Sequence, residues 1–221
     1  MKNILCMIAL CAIVQSLAAQ KIIEKHIDFS GKKMISMNLE IADSIRIITW
    51  NKNEVYMKAS ISINNDKNND DYKVNFDEGG SSVTIHSKFE FEKGKNCCGD
   101  SDNCHCNCNC HEKIYFDVFV PENAAFSVET INGDITISGK TTQVRAHSIS
   151  GFIDLTLASA EKADLKMNTI SGTMYTNFDL SGEKNLRRAG GSSINTILNG
   201  GGDKSIELET ISGDIFLRKG S

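Results

Sequence analysis

Thr130-Ile131-Asn132-Gly133, Ser148-Ile149-Ser150-Gly151, Thr169-Ile170-Ser171-Gly172 and Thr210-Ile211-Ser212-Gly213 are four copies of one phrase, and they carry the fold of this 221-residue chain. The glycines at 133, 151 and 172 lie 18 and 21 residues apart, and the fourth follows 41 residues later, which leaves room for a degenerate copy near Gly191. Self-similarity at about 20 residues marks a chain wound in stacked turns.

A strand lies on either side of each copy. Before the phrase the apolar or small residues are Phe126, Val128 and Thr130, then Val144, Ala146 and Ser148, then Leu165, Met167 and Thr169, then Ile206, Leu208 and Thr210. After it come Ile135 and Ile137, then Ile153, Leu155 and Leu157, then Met174, Thr176 and Phe178, then Ile215 and Leu217. Both runs have the period of two that a half-buried strand requires. The parity flips between the Thr and the following Ile, so the chain turns a corner there, and the glycine suits a positive φ or a close approach of the next turn.

One such unit cannot bury its own apolar face, whereas stacked units share a continuous core. The pattern therefore predicts an all-β protein with a short β-solenoid of about 20 residues per turn over residues 121–221. Tight hairpins at Asn132-Gly133 and its relatives are the competing reading, but hairpin turns recur about every 8 to 12 residues, closer than this pitch. Residues 20–120 read as an irregular β-rich region. Ser44 to Trp50 and Glu54 to Ile63 are β-rich runs joined by the polar Asn51-Lys52-Asn53, and Tyr72 to Phe76 and Ser81 to His86 flank Asp77-Glu78-Gly79-Gly80.

Val118-Phe119-Val120-Pro121-Glu122, followed by Phe126 to Ile135 with its Asn132-Gly133-Asp134-Ile135, resembles the hinge of the bacterial cell-envelope families labelled "putative adhesins". There a strand ends at Val-Pro, a short turn follows and Gly-Asp-Ile repeats begin. Ile41 to Lys58, with Ile45-Arg46-Ile47-Ile48-Thr49-Trp50-Asn51, is similar to their front-end strand pair. The resemblance covers most of residues 40–221. It implies an exported or envelope β-solenoid protein, and its motifs are structural, so no catalytic residues come with it.

Residues 1–19 read as an export signal: Lys2, an unbroken apolar run from Ile4 to Val14, and the small-residue stretch Ser16-Leu17-Ala18-Ala19. The apolar run is too short to span a bilayer, which takes about 20 residues, and no later segment is apolar enough to do so. A periplasmic or cell-surface location is expected. The formal net charge is −4, which argues against nucleic acid or anionic lipid as partners because both need a basic footprint.

Outside the leader all six cysteines fall in Cys97 to Cys110, within a decorated loop spanning 97–111. Two chemistries fit. Thiolates at Cys104, Cys106, Cys108 and Cys110, with His105 or His111, have the softness to hold Zn²⁺ or Cu(I). Alternatively, an oxidising compartment pairs the thiols as disulfides that close a loop almost free of apolar residues. The spacing C-x-C-x-C-x-C is not the double C-x2-C of a structural zinc site, and the two readings stay open. The first makes the loop the working part of a periplasmic metal-binding or redox-sensing protein.

The outward parity of Phe152, Tyr175 and Phe216 makes them candidate partner-binding residues, able to stack on a sugar or an envelope protein. Asp134, Asp154 and Asp214 are the carboxylates of a lyase-like alternative. Asp134 and Asp214 share a column, and chain-order stacking would place them three steps of about 4.8 Å apart, too far to act on one bond. A non-catalytic adhesive or scaffolding role is the expectation, with no cofactor beyond a metal in the cysteine loop.

Overall fold

The computed structural model describes residues 20–90, 111–180, 186–188 and 191–220. Among these the chain is all-β, with a single 3-10 turn at Asn69–Asp71 and no α-helix. Sixteen strands form one mixed hydrogen-bonded sheet. The leader at 1–19 and Cys97 to Cys110 lie outside the described residues.

Strand β8 (Ala125–Ser138) runs through the first copy of the phrase and belongs to two ladders at once. Its first half lies between β2 (Met34–Leu39) and β9 (Gln143–Ser150). Beyond β9 follow β15 (Ser205–Ser212) and β11 (Ala163–Ser171), all parallel. The antiparallel β14 (Gly191–Leu198) and β13 (Leu186–Arg188) close that end, and β6 (Ser82–Phe89) with β5 (Tyr72–Asp77) extends the other. The second half of β8 lies between β3 (Ile41–Trp50) and β10 (Ile153–Ala158), and beyond β10 come β16 (Ile215–Gly220) and β12 (Met174–Thr176), again parallel. On the far side of β3 stand β7 (Glu112–Pro121), β4 (Glu54–Ile63) and β1 (Lys21–Asp28). The inward residues of both ladders form one apolar cluster that runs from Ile27 to Leu217.

The alternation read from the sequence is the alternation of burial. Every residue assigned inward is buried except Met174, which is half-buried, and Thr176, which is exposed; both sit on the three-residue edge strand β12. The phrase itself is a corner joint. Ser148, Thr169 and Thr210 are buried, and each hydroxyl donates to a glycine carbonyl of the adjoining unit: Gly133 at 3.2 Å, Gly213 at 3.0 Å and Gly151 at 3.2 Å. A buried hydroxyl needs such a partner. The glycine is required by proximity. A Cβ on Gly151 would lie 2.2 Å from the Gly133 carbonyl oxygen, one on Gly213 2.0 Å from that of Gly151, and one on Gly172 1.9 Å from that of Gly213.

That column of contacts also fixes the order of the units. It runs Gly133, Gly151, Gly213, Gly172, so the last copy in the chain is inserted between the second and the third. The turns therefore do not stack in chain order. Nor does Gly191 open a degenerate parallel turn: it begins β14, which pairs antiparallel with β11. The same intercalation occurs at the front. Strands β3 and β4 are joined by the three residues 51–53 yet are not paired with each other, because β7 lies between them.

Candidate functional site

The outward face of the β10, β16 and β12 ladder carries a cluster of aromatic rings. Strand register sets Asp154 beside Phe216 and Phe216 beside Tyr175. The rings of Tyr175 and Phe216 stack with centroids 5.0 Å apart and planes 9° from parallel, and Phe152 meets Phe216 edge-on at 6.0 Å. Stacked and edge-to-face pairs both follow from the quadrupole of the ring. Tyr175 is 49% exposed, whereas Phe152 and Phe216 are half-buried. The Arg218 guanidinium lies 4.9 Å from the Phe216 centroid, and its Nε donates to both carboxylate oxygens of Asp154 at 2.8 and 3.0 Å. The three residues singled out for partner binding are thus brought together, with a charged pair at their edge. Such a surface offers an apolar platform rimmed by donors and acceptors.

The three repeat aspartates have structural work. Asp134 accepts the Phe152 backbone N–H at 3.1 Å, and Asp214 accepts that of Thr173 at 2.7 Å, so each carboxylate ties its corner to the next unit. Asp154 is held by Arg218. Because the last unit is intercalated, Asp134 and Asp214 are two strand steps apart instead of three, about 10 Å at the usual spacing.

The outward face of the other ladder is a charge lattice. Lys166 pairs with Glu207 and, at 3.1 Å, with Glu209, while Arg145 reaches both glutamates at 3.7 Å. Burial alone would raise the Glu209 carboxyl, but hydrogen bonds from Asn168 and Lys166 outweigh it and hold the group below the ordinary glutamate range. Alternating signs leave this face without an acidic stripe.

Cys104, Cys106, Cys108, Cys110 and His105 lie outside the described residues. His111 is described, and its backbone is pinned to Asn64: the Asn64 N–H donates to the His111 carbonyl at 2.9 Å, and the His111 N–H donates to Asn64 Oδ1 at 3.3 Å. Among the described residues no group of three or more His, Cys, Asp or Glu side chains is placed to hold a metal ion, and no helix is long and apolar enough to cross a membrane.

Two surface features escaped the sequence reading. The phrase isoleucines 131, 149, 170 and 211 are all 40–59% exposed and run along the corner as an apolar stripe; the parity flip after Thr signals it. At the opposite end of the aromatic face, His26, Tyr56, Phe119 and Trp50 form a second chain of rings, with successive centroids 4.6, 5.8 and 5.1 Å apart.

The architecture has a solved counterpart. A "putative cell adhesion protein" from Clostridium sporogenes superposes with a TM-score of 0.56 at 14% identity, over 91% of this chain and all of that one. A "putative adhesin" from Bacteroides fragilis aligns over 91% of this chain and 98% of its own, at 9% identity and a TM-score of 0.26. No protein-family model matches the sequence, and neither does any curated protein. At these identities the likeness to the Clostridium protein is one of fold.

Proposed function

We propose that this chain is an exported cell-envelope protein of the periplasm or cell surface with a non-catalytic adhesive role, and that the wall of Phe152, Phe216 and Tyr175 meets a glycan. The parallel ladders serve as a solenoid-like scaffold that holds this wall flat. One observation carries the reading: three aromatic rings whose parity turns them away from the core are gathered in a single outward cluster instead of being scattered. Isolated exposed apolar residues are ordinary on protein surfaces, whereas a contiguous patch with polar edges marks an interaction site. The fold likeness to a protein described as a cell adhesion protein agrees with this reading.

The chain without residues 1–19, applied to an array of bacterial and host glycans, tests it. Removing two stacking rings of about 1 kcal/mol each in Tyr175→Ala/Phe216→Ala weakens binding about 30-fold, with the unfolding temperature as the folding control. Array binding that the double variant leaves unchanged would remove the wall from the account.

A further inference from the structure

The ring cluster at the other end of the same face borders a hollow of about 390 Å³ lined by Trp50, Asn51, Lys52, Asn53, Glu122 and Asn123. We propose that this hollow is a second saccharide subsite, shaped for the acetamido group of an amino sugar. The inference rests on the adhesive reading above, and it adds a site and a ligand class.

The hollow is assembled from two turns far apart in sequence. The 51–53 turn follows β3, the 122–124 turn follows β7, and the pairing of Trp50 with Pro121 brings them together. The Glu122 N–H donates to the Trp50 carbonyl at 2.9 Å and locks the junction. The indole is fixed before any ligand arrives. Its Nε1–H donates to the Glu54 carbonyl at 2.7 Å, and the ring packs against Phe119 at 5.1 Å. Fixing a ring in advance removes an ordering cost from binding.

Two of the polar groups around the indole, the amides of Asn51 and Asn123, are open to a ligand. Among the described residues the side-chain amides of Asn51 and Asn123 make no hydrogen bond and the Lys52 ammonium has no carboxylate partner; it rests over the Trp50 ring at 4.4 Å. Asn53 is engaged with Ser30 Oγ at 3.1 Å, and Glu122 faces Lys140 at 3.8 Å. Two amides supply both donors and acceptors, and the ammonium supplies donors only. An acetamido group matches that inventory: its carbonyl accepts from Asn or Lys, its N–H donates to an Asn carbonyl, and its methyl and the sugar C–H face take the place over the indole that the Lys52 ammonium holds in the free protein. A phosphate would meet the Glu122 carboxylate, and a purely apolar ligand would find one ring in a polar rim. The volume is in the range of small-molecule pockets.

The two sites are joined by a continuous row of outward residues. Phe119, Ile48, Ser138, Thr156 and Arg218 are successive cross-strand neighbours, and Arg218 lies over Phe216. From Trp50 to Phe216 the path crosses three strand steps, about 14 Å, and shifts four residues along the strands, about 13 Å, so the rings are about 20 Å apart. Between the subsites the row carries Ile48, Ser138 and Thr156 and no obstructing ring, so an extended oligosaccharide crossing the strands reaches both. Two linked contacts bind more tightly than either alone once the ligand spans them.

Trp50 is the only tryptophan of the chain, so its fluorescence reports on this hollow alone. The experiment titrates the chain lacking residues 1–19 with N-acetylglucosamine oligomers of two to six units. The native chain should show a saturable emission change whose affinity rises with oligomer length. Asn51→Ala/Asn123→Ala, which leaves the rings in place, should weaken it at least tenfold without altering the unfolding temperature. Tyr175→Ala/Phe216→Ala should keep the short-oligomer response and lose the gain with length. No saturable response to any oligomer, or one that Asn51→Ala/Asn123→Ala leaves intact, overturns the second subsite even where array binding upholds the wall. A Trp50 response with its full length dependence in Tyr175→Ala/Phe216→Ala upholds the hollow and overturns its coupling to the wall.

Discussion

Removing residues 203–221 distinguishes an intercalated stack from one built in chain order. In a chain-order stack the last unit caps one end, and its loss frays only its neighbour. Here β15 pairs with β9 on one side and β11 on the other, and β16 with β10 and β12. The deletion cuts the stack through its interior. It withdraws four fully buried side chains, Ile206, Leu208, Ile215 and Leu217. At about 1.5–3 kcal/mol each, the lost burial is about 6–12 kcal/mol, comparable to the whole stability of a typical domain. Everything beyond the cut should therefore separate from the rest. Hydrogen–deuterium exchange read by mass spectrometry should show Ala163–Ser171 and Gly191–Leu198 losing protection in the truncated chain, while β3, β4 and β7 keep most of theirs. Full protection of Ala163–Ser171 after truncation would mean that β11 docks directly on β9, and the intercalated order would be refuted.

Other consequences follow from single positions. Gly213→Ala drives a Cβ to within 2.0 Å of the Gly151 carbonyl oxygen and should cost about 3 kcal/mol or more in urea unfolding, whereas Gly200→Ala, with open space around it and φ +88°, should cost only the left-handed penalty of about 1–2 kcal/mol. Ile170→Ser should change stability by no more than about 0.5 kcal/mol, as an exposed substitution does, while Ile215→Ala, fully buried, should cost about 2–5 kcal/mol. The Glu112 carboxyl is raised by burial first and by the charge of Asp43 second. A raised carboxyl destabilises the fold when ionised, so its cost is absent below the unfolded-state value and complete above the folded one. Asp43→Asn should move the Glu112 titration downward in carboxylate NMR, and an unmoved titration would exclude the Asp43 contribution.

Much of the fold could be read from the sequence because burial here is a matter of parity. The period-two runs around each phrase fixed which residues face inward, and the Ser/Thr and Gly of each phrase encode a joint whose hydroxyl and carbonyl the structure pairs. The same equivalence hid the stacking order. Four copies offering one hydroxyl, one carbonyl and one bare Cα each fit any neighbour equally, so nothing local says that Gly213 sits between Gly151 and Gly172. The 41-residue gap read as a missing turn instead contains the antiparallel β13 and β14. Phe152, Tyr175 and Phe216 were legible from their parity alone. The Trp50 hollow was not, since Asn51 and Asn123 are 72 positions apart and meet only because β7 slots between two strands that are consecutive in the chain.

If ligand lands on the outward wall, ring NMR of the chain lacking residues 1–19 reads the contact at the side chains that make it. With an array-selected glycan added, the ring resonances of Tyr175, Phe216 and Phe152 should shift together and saturably while those of the buried Phe126 and Tyr72 stay in place. Saturable glycan binding that leaves the three wall rings unperturbed would contradict the account.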